Sequence, residues 1–237
     1  MSGEAATGSE SGSDGDGHGT ASATVSAQLR ETPATLALLG TFLVVFLGVR
    51  VVGARSGYDV VALLAVQSDH LARVWTWVTS VVLHWLPVHL LFNGAFLYWW
   101  GRGAERGHGT RVFATVFFAT GVGTAVVGTA LGGFLTCGWA AFTAGGCHAV
   151  AGGASGALLG AVGYTTARMP SFRVQPFPAV ETPLWAFTGV WVVVSVLGIV
   201  APIDPLSALF GFQVGHVHHL VGVLLGLALG SVWRPDE

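Results

Sequence analysis

Six apolar stretches, at roughly 33–54, 84–100, 112–135, 152–167, 184–201 and 215–233, divide most of this chain. Each is long enough, or nearly so, for a helix to cross a ~30 Å hydrocarbon layer. Only 9% of the 237 residues are charged, against about 25% in an ordinary soluble domain. The expectation is an all-α, polytopic membrane protein whose six transmembrane helices pack as a bundle. Several of the runs carry glycine or a polar residue, which a helix facing lipid alone does not need and a packed bundle tolerates.

Residues 1–31 contain no apolar run and are rich in Ser, Gly, Ala, Thr and acid (Glu4, Glu10, Asp14, Asp16). They have too little surface to bury and are expected to form a disordered polar tail. The basic start and apolar core of a secretory signal are both missing from them. The first apolar helix is therefore expected to stay as an anchor, and the folded domain to span 32–237.

All ten cationic residues are Arg, and short cytoplasmic loops retain positive charge. With the N-terminus inside, Arg30, Arg102, Arg106, Arg111, Arg168, Arg173 and Arg234 are cytoplasmic, leaving Arg50, Arg55 and Arg73 outside. Seven against three favours both termini inside. The loops near 55–83, 136–151 and 202–214 then lie on the outer face. The formal net charge of −2 and the lack of a basic patch exclude nucleic acid as a partner. Cys137 and Cys147 fall in one expected outer loop, where a disulfide would survive. Two unpaired thiols fit the sequence equally well.

The residues that carry chemistry sit at two of these helix ends. Ser155 lies in Gly152-Gly153-Ala154-Ser155-Gly156, where a glycine-rich loop passes into an apolar helix. An N–H in the first turn of a helix has no intrahelical partner, and the positive end of the helix dipole stands behind it. Such a group is suited to hold an oxyanion. A serine nucleophile needs a base, and a histidine is the side chain best suited to take its proton near neutral pH. His219 begins a series continued by Gly222, Gly226 and Gly230, and the serine helix offers Gly156, Gly160 and Gly163. Small residues at that spacing let two membrane helices meet backbone to backbone, bringing Ser155 to His219. His216, one turn earlier, is the rival base, while His218 points roughly 100° away. For His216 and His218 the plain alternative is a polar residue at the outer water interface. The only carboxylates expected outside, Asp59, Asp69 and Asp204, are in loops, so a Ser–His dyad is expected.

The second apolar stretch supplies His84, His89 and Asn93. His89 and Asn93 are four apart and share a helix face, with His84 at or just ahead of the helix start. An Asn at lipid depth is costly without a partner or a role. An interhelical hydrogen bond is one such role, and donating to a tetrahedral oxyanion beside the candidate nucleophile is another.

Three blocks in this order, His84-x4-His89-x3-Asn93, Gly153-Ala154-Ser155-Gly156 and His219-x2-Gly222-x3-Gly226, resemble the rhomboid family of intramembrane serine proteases. The resemblance covers about residues 32–237 and includes Gly101-Arg102-Gly103-Ala104-Glu105. It implies a six-helix, N-in bundle in the cell membrane of a prokaryote, acting on membrane-protein substrates with a transmembrane helix and needing no cofactor or metal. By motif, the nucleophile falls on Ser155 and the base on His219. The oxyanion donors fall on His89, Asn93 and the Ser155 amide, and His84 matches a supporting histidine. Glu105, with Arg102 and Arg106, belongs to the cytoplasmic side, and by analogy the fifth helix (184–201) is a lateral gate.

Two positions depart from the family pattern. Many relatives carry a Trp-Arg pair in the first outer loop, but Trp75 is followed here by Thr76. Relatives also often place an aromatic four residues after the nucleophile, near the histidine, and this chain has Leu159. Two other readings fit parts of the sequence. A non-catalytic rhomboid-like protein that binds membrane helices would be marked by loss of Ser or His, and both are present. A metal site or transporter built from His84, His89, His148, His216 and His219 lacks an HExxH pattern and lacks carboxylates in the helices.

Overall fold

The computed structural model describes residues 31–56, 59–177, 180–201, 205–210 and 213–235. The tail expected at 1–31 therefore falls, but for Glu31, outside the described residues, as do Arg30 and Asp204. The chain is mostly helical. In order its elements are α1 Pro33–Ser56, α2 Val60–Leu64, β1 Val66–Gln67, α3 Trp75–Val82, α4 Pro87–His108, α5 Thr110–Thr143, β2 Val150–Ala151, α6 Ser155–Arg168, β3 Arg173–Phe177, β4 Val180–Pro183, α7 Leu184–Val200, α8 Pro205–Phe210 and α9 His216–Val232.

Each of the six apolar stretches carries a helix, with boundaries moved by local chemistry. The second begins at Pro87, not 84, because a proline pre-sets the first helical turn and holds the preceding residue extended. Leu86 has φ −108° and ψ 134°. The third runs on to Thr143 through a break at Gly138, where φ is 78°. Part of the expected loop 136–151 is thus helix.

By length and composition α1 and α5 can each cross a membrane, and α3 with α4, bent by 85°, make a third candidate span. Helices α7 and α9 have 17 residues each and α6 has 14, short of the ~20 a spanning helix needs.

Helix α6 is the centre of the bundle, and every residue from Gly156 to Thr166 is buried. A Cβ on Gly222, Gly226 or Gly230 of α9 would overlap the carbonyl oxygen of Gly156, Gly160 or Tyr164 respectively. The two backbones therefore touch, as the spacing of small residues predicts. The structure corrects one detail. Of the α6 glycines only Gly163 turns its missing Cβ toward α9, whereas those of Gly156 and Gly160 point to Thr124 and Thr120 of α5. Small residues on two faces let α6 sit between two helices at once.

Several polar side chains inside the bundle are tied to backbone or to one another. Thr120 Oγ1 donates to Val116 O at 2.7 Å, and Thr166 and Thr188 share a 2.6 Å hydrogen bond between α6 and α7. Glu105, 1% exposed, accepts from the N–H groups of Ala34 (2.9 Å) and Thr35 (2.8 Å) and from Thr110 Oγ1 (2.8 Å). Its carboxylate meets otherwise unpaired donors at the start of α1 while also binding the start of α5.

The loop between α1 and α4 is held by its own indoles. Trp75 Nε1 donates to Leu63 O at 3.0 Å and Trp77 Nε1 to Leu71 O at 2.9 Å. Thr76 is 1% exposed and bonds Arg73 O at 2.6 Å. The loop also pairs with the approach to α6: β1 and β2 are antiparallel, with Val66 opposite Ala151 and Gln67 opposite Val150. Ser68 Oγ donates to Cys147 O, and His148 Nδ1 donates to Asp69 Oδ2 at 2.9 Å. Cys137 and Cys147 form a disulfide, settling the pairing that the sequence left open.

Replacing Gly226 by Val should lower the unfolding midpoint of the purified protein, at a cost of about 1–3 kcal/mol for overpacking. Gly40→Ala, on an open face of α1 with nothing within 4 Å, should leave it unchanged or raise it. Burial raises the Asp69 carboxyl, but the hydrogen bond from His148, its own backbone and the imidazoles nearby outweigh this and hold it below the usual carboxylate range. A depressed carboxyl stabilises fully above its ordinary value and loses that contribution as pH falls through the folded one. Asp69→Asn should therefore be the less stable protein near neutral pH, by up to about 1 kcal/mol, and the gap should close as unfolding is measured at progressively more acid pH.

Candidate active site

The chain reaches Ser155 as strand β2, turns at Gly153 and enters α6. Gly153 has φ 124°, a backbone angle that side chains with a Cβ rarely adopt. Its N–H donates to Ser80 O at 2.8 Å, and a Cβ there would strike the His89 ring. Ser155 is the first residue of α6, so its own N–H belongs to the turn that lacks intrahelical acceptors.

His219 is the fourth residue of α9. The glycine contacts below fix the two helices in depth, and Ser155 Oγ and His219 Nε2 lie 2.9 Å apart. A hydroxyl at hydrogen-bond distance from an imidazole nitrogen is the arrangement of a nucleophile with its base. His219 is 8% exposed, whereas Ser155 is part of the wall of a cavity of about 870 Å³. Trp85, His89, Thr124, Gly153 and His218 line the same cavity. Residues 148–153, on the approach to the serine, also line it.

His89 borders this cavity. Asn93 is buried, and its Nδ2 donates to His89 O at 3.0 Å along its own helix. That bond uses one of two amide hydrogens. His84 is fully buried just ahead of α4, with Nδ1 3.2 Å from Val82 O. Its ring contacts those of Phe42 (4.8 Å between centroids) and His89 (5.0 Å).

The other two histidines of α9 pack against neighbouring helices and border the same cavity. His216, 5% exposed, fills the space over Gly198 of α7. His218 lies on α5, with Nε2 3.1 Å from Thr129 Oγ1. His148 is in the segment ahead of β2, where it bonds Asp69. Among the described residues no group of three or more His, Cys, Asp or Glu is placed to hold a metal ion.

Sequence reasoning missed Trp191. Its ring stands edge-on to His219, 6.0 Å between centroids and 88° between planes, so an aromatic from α7 does meet this histidine. Leu159 is instead part of the core, 3% exposed. Nothing in the pattern of α7 distinguishes Trp191 from Trp185, which is exposed. Only the packing of α7 on α9 selects it.

A family model described as the Rhomboid domain matches residues 71–235. The chain is 27% identical over 208 residues to the rhomboid protease GlpG of Photorhabdus laumondii subsp. laumondii, covering 85% of this chain and 61% of that protein. To the rhomboid protease GlpG of Pectobacterium atrosepticum it is 26% identical over 199 residues, covering 83% and 61%. The chain thus spans about three fifths of the length of these curated relatives. With the family match spanning both helix ends that meet at the serine, the chain belongs to the rhomboid family.

Proposed function

We propose that this protein is an intramembrane serine endopeptidase cleaving transmembrane-helix substrates near the outer membrane face. The observation that carries the proposal is the 2.9 Å contact of Ser155 Oγ with His219 Nε2 at the wall of a cavity. Both relatives are named as rhomboid proteases, which supports the same reading. A non-catalytic helix-binding relative would have no need of a serine held against an imidazole.

In the proposed reaction neutral His219 takes the Ser155 proton through Nε2 as Oγ attacks the scissile carbonyl carbon. The negative oxygen that forms is held by the Ser155 N–H, with donors from His89 and Asn93. For Asn93 this requires its amide to turn from the His89 carbonyl or to use its second hydrogen. Collapse of the intermediate breaks the C–N bond, and His219 returns its proton to the leaving amine. Water, deprotonated by His219, then attacks the acyl-enzyme and frees Ser155. A substrate helix hides its amides in internal hydrogen bonds, so cleavage should favour a segment weakened by small or helix-breaking residues. Helix α7 serves as the lateral gate in this reading, and its displacement would withdraw Trp191 from the base.

We place the domain at 32–237, with six spans and both termini in the cytoplasm of a prokaryotic cell. The distribution of Arg supports this orientation. So does the Cys137–Cys147 disulfide, which lies on the side assigned to the oxidising exterior.

Ser155→Ala should abolish cleavage of a transmembrane reporter and labelling by a fluorophosphonate probe while leaving the unfolding midpoint near wild type. His219→Ala should do the same. Cleavage by the Ser155→Ala protein at the wild-type rate would end the serine-protease reading.

A further inference from the structure

Three imidazoles crowd the outer end of α9, and each enters a different neighbour. His219 meets Ser155 of α6, His216 sits over Gly198 of α7, and His218 faces α5. The proposed reaction makes no use of His218.

The place His218 occupies is shaped for it. The turn Thr124–Gly128 of α5 is π-helical, and such wide turns recur at functional sites. At the last residue of this turn, a Cβ on Gly128 would stand 2.8 Å from His218 Cδ2 and 3.3 Å from its Cα. Only glycine lets the ring lie on α5 there. At the end of this socket Thr129, 1% exposed, shares a 3.1 Å hydrogen bond with His218 Nε2. Thr124, Ala125, Gly132 and His218 all form cavity wall.

The location of the base makes this tie consequential. His219 lies in the first turn of α9, its N–H bonding Gly215 O at 2.9 Å, and residues 213–215 ahead of it are not helical. A first turn has the fewest internal bonds and is where helices fray. Helix α7 braces it through Trp191 on His219 and Gly198 under His216. Yet α7 is the element proposed to move when a substrate enters, whereas α5 packs directly on the central α6.

We infer that His218 is a positioning residue: bonded to Thr129 in the Gly128 socket, it moors the first turn of α9 to α5 and keeps His219 against Ser155 when α7 withdraws. The inference rests on the protease reading.

The test uses the full chain in detergent, a transmembrane reporter peptide and a fluorophosphonate probe. His218→Ala should lower kcat about tenfold, the upper weight of one neutral hydrogen bond, with KM unchanged and probe labelling slowed in parallel. His218→Gln, whose carboxamide reaches Thr129, should restore most of the rate. Thr129→Val, close to the same shape, should reproduce the His218→Ala loss and decides the matter where the Ala variant fails to fold. The double variant should be no slower than either single, because both cut one tie. Wild-type kcat in Thr129→Val, a loss confined to KM, or additive losses in the double variant would overturn the inference while leaving the protease reading intact. A wild-type protein that neither cleaves nor labels would overturn both.

Discussion

Backbone contact between α6 and α9 is the constraint on which the rest of the molecule depends. Lipid tails are as apolar as leucine, so no hydrophobic force draws two membrane helices together, and close packing has to do so. Gly222, Gly226 and Gly230 lie against the carbonyl oxygens of Gly156, Gly160 and Tyr164, a fit that no side chain could share. It fixes the helices laterally and along their axes at once. Ser155 and His219 stand one turn or less beyond the last of these contacts, and their 2.9 Å separation follows from it.

The surroundings of α6 show how polar groups are accommodated where water is scarce. An unsatisfied polar group there costs several kcal/mol, about as much as a core cavity. Thr120 and Thr166 bond carbonyls on their own helices, and Glu105 collects three donors from the starts of α1 and α5. Glu105 lies at the opposite end of the bundle from the serine, where it joins α1 to the core. The serine–histidine contact and this anchor thus occupy separate ends of one scaffold.

At the serine end, order is imposed on segments with little regular structure. The strand that leads to Ser155 is paired with β1, bonded through Ser68 and His148, tied to α5 by the disulfide and turned at Gly153 against His89. A serine on a first helical turn inherits the position of the loop before it. Four independent attachments of that loop therefore serve the same end as the glycine seam below.

Much of this was legible in the residues themselves. Apolar run length gave the helices, because a segment in lipid must satisfy its own backbone, and the small-residue spacing on α9 named the helix that α6 would touch. Ser155, His219, His89, Asn93 and His84 were identifiable because polar groups stand out against so apolar a background. Other features depended on which surfaces meet. The turn of Gly156 and Gly160 toward α5, the approach of Trp191 to the base and the settling of His216 and His218 into glycine notches have no local signature. Nor does the pairing of Cys137 with Cys147, which two thiols in one loop permit without requiring. Sequence by itself determined the elements and singled out the candidate groups, since those follow from composition and period along one segment. Tertiary structure alone decided which side chain faces which, because that is a property of two surfaces and the distance between them.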